Sequence, residues 1–111
     1  MLHMDVRLIY ITTKDREEAG RIGRTLVEER LVACVNILDK VDSLYWWEGK
    51  IVDDREALII AKTKNTLVPA VIERVKSLHG YSCPCIVALP IVDGNEDFLT
   101  WVCNETQRGE G

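Results

Sequence analysis

The order in which hydrophobic periodicity changes along this chain restricts its fold more than any other feature. Val6-Arg7-Leu8-Ile9-Tyr10-Ile11 is β-rich and reads as a strand. Ala19, Ile22, Gly23, Leu26 and Val27 then recur at helical spacing, which predicts an amphipathic helix ending near Arg30. Thr13 and Asp15 offer N-cap oxygens for it, and Glu17 and Glu18 fall in its first turn, where the helix dipole favours carboxylates. Leu31 to Leu38 is apolar and β-branched, a buried strand interrupted by Asn36. A polar turn at Asp39-Lys40 precedes a strand over Ser43-Leu44-Tyr45-Trp46-Trp47, and Glu48-Gly49-Lys50 reads as a turn or bulge. Glu56 to Thr63 is a further strand. Asn65 or Thr66 caps a second helix, with Pro69 tolerated in its first turn and Val68, Val71, Ile72 and Val75 on its buried face. Tyr81 to Ile91 reads as the last long strand, and Gly94-Asn95 opens a short C-terminal helix carrying Phe98, Leu99, Trp101 and Val102.

Strand, helix, strand, strand, helix, strand and one extra helix is the split βαβ arrangement: an α+β, ferredoxin-like βαββαβ unit with an antiparallel sheet and an added C-terminal helix. At 111 residues it is expected to form a single domain, 1–111. Two helices cover one face of such a sheet. Tyr45, Trp46, Trp47, Val87 and Leu89 put apolar groups on both sides, so the other face needs a cover, and oligomerisation through the sheet or its edges is expected.

The formal net charge of −4 argues against sequence-independent nucleic-acid binding, which calls for a basic surface. The apolar run from Ile86 to Val92 is too short to span a bilayer, and Met1-Leu2-His3-Met4-Asp5 lacks the basic and apolar regions of a signal peptide. A cytoplasmic protein is expected. There the four cysteines (Cys34, Cys83, Cys85, Cys103) are free thiols or metal ligands rather than two disulfides, and a Cys83–Cys85 bridge would close a tight ring across Pro84.

The segment His79-Gly80-Tyr81-Ser82-Cys83-Pro84-Cys85 puts an imidazole and two thiols within seven residues. On a strand Cys83 and Cys85 face the same side, and imidazole and thiolate are ligands that soft metals select. The competing reading is that both are small buried hydrophobes, and no second Cys-x-Cys or Cys-x-x-Cys pair completes a structural zinc site. Cys34 lies in an apolar strand and Cys103 on the last helix, both positions that suit core packing. His79, at the end of the second helix, is either a cation or donor near the last helical carbonyls, or a metal ligand or a contact for a small ligand in an intersubunit cleft. His3 carries no argument. Trp46 and Trp47 point to opposite sides of a strand, one expected inward and one at a subunit contact. Glu56 and Lys62 share a face by parity and with Tyr81 line a polar cleft, although an intersubunit salt bridge explains the charges as well. Asp53 and Asp54 read as a solvated turn. No Gly-x-x-x-x-Gly-Lys or Gly-x-Gly-x-x-Gly loop is present, and a Cys–His nucleophile pair is the one formal route to catalysis.

Leu31-Val32-Ala33-Cys34-Val35-Asn36, Ser43 to Ile51, Lys62-Thr63, His79-Gly80-Tyr81 with Pro84, Leu89-Pro90-Ile91 and Phe98-Leu99-Thr100-Trp101 together resemble the CutA family of divalent-cation tolerance proteins. The resemblance covers nearly the whole chain in order. It implies a subunit similar to the PII signalling proteins, a homotrimer with Tyr45, Trp46 and Trp47 at its contacts, and a role in divalent metal tolerance with copper or another soft metal bound in some members. It implies no enzyme activity and no essential cofactor. The family's thiol and histidine ligands map to Cys34 and His79, while its first-strand cysteine falls at Ile11. Gly80 and Cys85 replace a proline and a carboxylate of the usual pattern, so Cys83 and Cys85 are candidate replacement thiols. The alternative functions are a small-ligand-binding signalling protein of the PII kind and a Cys/His hydrolase.

Overall fold

The computed structural model describes residues 5–108; His3 and the tail beyond Arg108 lie outside the described residues. The chain runs β1 (Val6–Thr13), α1 (Arg16–Glu28), β2 (Cys34–Trp47), β3 (Lys50–Lys64), a 3-10 turn (Asn65–Leu67), α2 (Val68–Leu78), β4 (Ile86–Pro90) and α3 (Glu96–Glu105). The sheet order is β2-β3-β1-β4, with every pairing antiparallel. Each helical crossover therefore skips one strand, which is the expected ferredoxin-like α+β architecture with its extra C-terminal helix.

Helices α1 and α2 lie on one face of the sheet because alternate strand residues present apolar groups towards them. Ile9 and Ile11 of β1 and Ile59 and Ala61 of β3 meet Ile22 and Leu26 of α1 and Val71 and Val75 of α2, all fully buried. Of the two N-cap candidates, Asp15 caps α1, accepting the Glu18 N–H at 2.9 Å. Thr13 is buried instead, its hydroxyl donating to the Ala57 carbonyl at 3.1 Å. Gly23 sets the approach of α1 to β2, since a Cβ there would stand 3.2 Å from a Val35 methyl.

Several boundaries differ from the sequence reading. β2 begins at Cys34 rather than Leu31, and Asn65 and Thr66 do not cap α2 but form the 3-10 turn before it, leaving Leu67 at the N-cap with no side-chain bond. β2 does not turn at Asp39-Lys40: these two residues oppose Ala57 as a bulge, with Lys40 at φ 60°, and the strand continues to Trp47. Asp53 and Asp54 are not a solvated turn but strand residues of β3 opposite Leu44 and Ser43, because cross-strand pairing satisfies their backbone groups whatever their side chains. β4 begins only at Ile86, so 79–85 is an irregular loop. Its last bond to the sheet is Thr12 N–H to the Cys85 carbonyl, and Pro84 has no N–H with which to extend the ladder. The parity argument for Cys83 and Cys85 therefore does not apply.

β1 pairs with β3 only over Ala57–Lys64, so the seven pairs from Val41–Glu56 to Trp47–Lys50 form a two-stranded arm. Glu48 (φ 50°) and Gly49 (φ 80°) close it, the left-handed pair that a type I′ hairpin needs. The arm makes the molecule 50 Å long and about 25 Å across. Trp46 is 71% exposed and Trp47 46%, so neither packs inward as one of them was expected to; the described residues supply no second layer to the arm. Among the described residues no helix is long and apolar enough to cross a membrane.

Candidate functional site

The sheet face opposite α1 and α2, the root of the arm and the 79–85 loop bound a cleft of about 840 Å³. Strand parity supplies its walls: Tyr10 and Thr12 from β1, Ser43, Tyr45 and Trp47 from β2, Glu56 from β3. The loop adds Tyr81, Cys83 and Cys85. Among the described residues no lysine, arginine or histidine lines it.

The loop is held by two buried groups. The His79 side chain is fully buried and that of Glu18 is 2% exposed. His79 Nε2 lies 2.7 Å from the Thr12 carbonyl and Nδ1 3.1 Å from the Tyr81 N–H. A carbonyl only accepts and an N–H only donates, so the ring is the neutral Nε2–H tautomer with both nitrogens engaged. Glu18 accepts the Lys14 N–H at 2.9 Å with one oxygen and the Gly80 N–H at 2.8 Å with the other. His79 thus fastens the loop to β1, and it offers no free ring nitrogen to an ion.

Inside the cleft the Tyr81 phenol donates to Glu56 Oε2 at 2.7 Å, and Tyr45 donates to Asp54 Oδ2 at 3.2 Å. Glu56 is 4% exposed. Desolvation first, then the hydrogen bond to Glu56, pushes the Tyr81 phenol well above its ordinary range. Desolvation and the bond to Asp54 push Tyr45 in the same direction.

The four candidate metal ligands do not converge within the chain. Cys83 and Cys85 are exposed and share the cleft. Cys34 sits on the rung Cys34–Lys62–Leu8–Leu89, whereas Cys85 adjoins Thr12 on the rung with Leu58 and Leu38. They are thus at opposite edges of the sheet, three strand spacings across and four residues along, about 19 Å apart. Among the described residues no three of His, Cys, Asp and Glu converge on a point where an ion would sit. Ile11, at the position of the absent family cysteine, is fully buried in the core, and Cys103 packs against the small cluster of Val6, Leu99 and Val102.

Of the cleft trio, Tyr81 and Glu56 meet and Lys62 does not. Parity puts Lys62 on the same face as Glu56, but six residues along β3 is roughly 20 Å. Its ammonium donates to Asn36 Oδ1 at 2.5 Å, and it does not line the cleft. Sequence reasoning missed Tyr10, Ser43 and the buried Glu18. Alternation on β2 (Ser43, Tyr45, Trp47) was the available signal for the second; nothing local marks Glu18, whose first-turn position reads as a solvated dipole partner.

The profile described as CutA1 divalent ion tolerance protein matches residues 7–105. A rice relative, "Protein CutA 1, chloroplastic", is 42% identical over 100 residues, covering 90% of this chain but 56% of the relative. The chain thus spans just over half the length of that relative. Among solved structures, the divalent cation tolerance protein (Cut A1) of Thermus thermophilus superposes with a TM-score of 0.89 at 45% identity, covering 92% of this chain and 99% of that one. The CutA structure from Archaeoglobus fulgidus, described as periplasmic, gives 0.89 at 42% identity with coverage of 92% and 99%. With its sheet order, its extra helix and a match over nearly all the described residues, this chain belongs to the CutA1 divalent ion tolerance protein family.

Proposed function

We propose that this chain is a single-domain, homotrimeric protein of divalent metal ion tolerance that acts by binding an ion rather than by turnover. The observation that carries assembly is the arm. An isolated two-stranded ribbon is marginal in water, yet this one exposes Leu44 and Trp46 at 71% each and Ile51 at 63%. These side chains, with Tyr45 and Trp47, are the surface against which further copies would seat; the trimer is the state the family resemblance implies.

The ion is assigned to Cys83 and Cys85, with copper or another soft metal as the natural guest. Both thiols are exposed in a cleft that holds Glu56 and, among the described residues, no basic side chain, so a cation is favoured over the phosphates of a nucleotide. Cys34 and His79 stand apart from this pair. The hydrolase reading loses its base, because His79 Nε2 is the donor to Thr12 and its Nδ1 is taken by Tyr81. Four unpaired thiols suit a reducing compartment, and we place the protein in the cytoplasm with the ion and its own copies as partners, not nucleic acid or membrane.

A Cu(I) competition titration of the reduced protein, paired with light-scattering mass, tests this reading. Stoichiometric binding lost in a Cys83→Ser/Cys85→Ser variant and kept in Cys34→Ser, at the mass of three chains, is expected. Binding that survives the double substitution removes the thiol pair, and a monomer mass removes the assembly.

A further inference from the structure

We propose that Asp93-Gly94 is a site of spontaneous covalent modification, at which the aspartate closes to a cyclic imide and reopens as isoaspartate, and that this change loosens α3 from the sheet. It involves neither the thiols nor the cleft, and it stands or falls separately from the metal site.

Three aspartates accept the N–H of the residue that follows them: Asp39 from Lys40 at 2.8 Å, Asp54 from Arg55 at 2.9 Å and Asp93 from Gly94 at 3.0 Å. In each, the backbone nitrogen stands beside its neighbour's carboxyl group, which is the approach that ring closure requires. Asp39 and Asp54 are restrained and crowded. Both lie in the β2–β3 pair, whose ladder holds the backbone on either side, and the residue after each carries a long side chain beside the attacking nitrogen. Asp93 differs in both respects. It is exposed in the irregular stretch between β4 and α3, and Gly94 has no Cβ to hinder the approach. Among all the aspartates and asparagines of the chain, Asp93 is the one followed by glycine.

The reaction conserves atoms and needs only water. The Gly94 nitrogen gives up its proton and its electron pair bonds to Asp93 Cγ, while the carboxyl hydroxyl leaves with a proton as water. A water molecule then opens the imide at one of its two carbonyls. Opening at Cγ restores aspartate. Opening at the main-chain carbonyl leaves the chain running through Cγ, with one methylene more in the backbone and a free carboxylate where the carbonyl was. This link is short. The Ile91 N–H is bonded to the Val6 carbonyl at 3.1 Å, and the Asn95 side chain caps α3 by accepting the Asp97 N–H at 3.0 Å, so only residues 92–94 join strand to cap. Gly94 also packs against Leu99, one of the cluster with Val6 and Val102 that docks α3. A longer backbone here shifts the cap relative to that cluster, and α3 opens more often.

The reduced, assembled protein is kept for weeks at physiological pH and temperature. Isoaspartate is read by an isoaspartyl carboxyl methyltransferase, which moves a labelled methyl group from S-adenosylmethionine onto the new carboxylate, and peptide mapping locates the label. Gly94→Ala supplies the missing Cβ, which would stand 3.7 Å from Leu99 Cδ1, an ordinary contact that keeps the fold. Asp93→Asn passes through the same imide with ammonia as the leaving group. Label is expected in the peptide that holds Asp93, about tenfold or more lower in Gly94→Ala, where the Cβ hinders the nitrogen, and sooner in Asp93→Asn. Hydrogen exchange at the Leu99 N–H, bonded to the Asn95 carbonyl at 3.0 Å, is expected to be faster in the aged parent than in aged Gly94→Ala. An aged parent without label at Asp93, equal label in Gly94→Ala, or label confined to Asp39 or Asp54 overturns the site. Unchanged exchange at Leu99 in labelled protein overturns the loosening of α3.

Discussion

Glu18 and Gly80 are joined across 62 positions by one hydrogen bond, the Glu18 Oε2 accepting the Gly80 N–H at 2.8 Å. The other oxygen takes the Lys14 N–H, so a single buried carboxylate ties the end of β1, the start of α1 and the 79–85 loop together. Hydrogen bonds to a charged acceptor are worth roughly 1.5–3 kcal/mol each, and removing the acceptor strands two backbone donors. Glu18→Ala is expected to lower stability by about 3 kcal/mol and to loosen the loop that carries Cys83 and Cys85. Denaturant unfolding measures the first, and hydrogen exchange at Gly80 the second. A variant as stable as the parent, with Gly80 still protected, removes this carboxylate from the account.

Tyr81 makes stability depend on pH at the alkaline end. Its phenol is held protonated by desolvation and by the bond to Glu56, so its folded pKa lies above the unfolded value near 10. The native state therefore favours the bound proton. That contribution is fully present below about pH 10 and is lost as pH rises above it towards the folded value. Stability of the parent should fall between about pH 10 and 12, and fall less steeply in Tyr81→Phe, which at neutral pH costs about 2 kcal/mol because Glu56 loses its donor. Ultraviolet titration of the three tyrosines is the direct check: Tyr45 and Tyr81 should ionise late. Three phenols titrating together near pH 10 in the folded protein contradict the prediction.

The tip of the arm has room for improvement. Glu48 occupies a left-handed conformation at φ 50°, which costs glutamate more than it costs glycine, without a Cβ, or asparagine, whose short side chain bonds locally. Glu48→Asn is expected to stabilise the protein by about 0.5 kcal/mol, whereas Gly49→Ala, at φ 80°, should destabilise it by about 1 kcal/mol. Thermal midpoints of the two variants should move in opposite directions. Equal shifts would place the arm's register elsewhere than in this turn.

Trp46 faces away from the cleft and is 71% exposed, which makes it the cleanest probe of assembly. Burying such a ring against another copy contributes about 2–3 kcal/mol per site. In the trimer proposed above, Trp46→Glu is expected to shift the protein from three chains to one at micromolar concentration, by sedimentation or light scattering, with the sheet and helices of each chain retained by circular dichroism. An unchanged mass would show that this face of the arm is not a contact.

Local periodicity was enough for the order of strands and helices, for the face of α1 that meets the sheet, for the capping of α1 by one of two candidates, and for the opposite facing of Trp46 and Trp47. All of these depend on neighbours a few positions apart, where spacing alone decides which side a residue takes. The site depended on contacts between distant segments. His79 read equally well as a ligand or a helix-end donor, and its Nε2 meets not the last helical carbonyls but the Thr12 carbonyl of β1, 67 positions away. Cys83 and Cys85 read as strand residues, but the ladder stops at Ile86, with one further bond from the Thr12 N–H to the Cys85 carbonyl, because Pro84 cannot donate. Glu56 and Lys62 share a face by parity, yet parity carries no information about distance, and only the cleft's walls separate the two. Pattern determines which face a side chain occupies; which side chains meet is decided by where the chain crosses itself, and only the folded structure holds that.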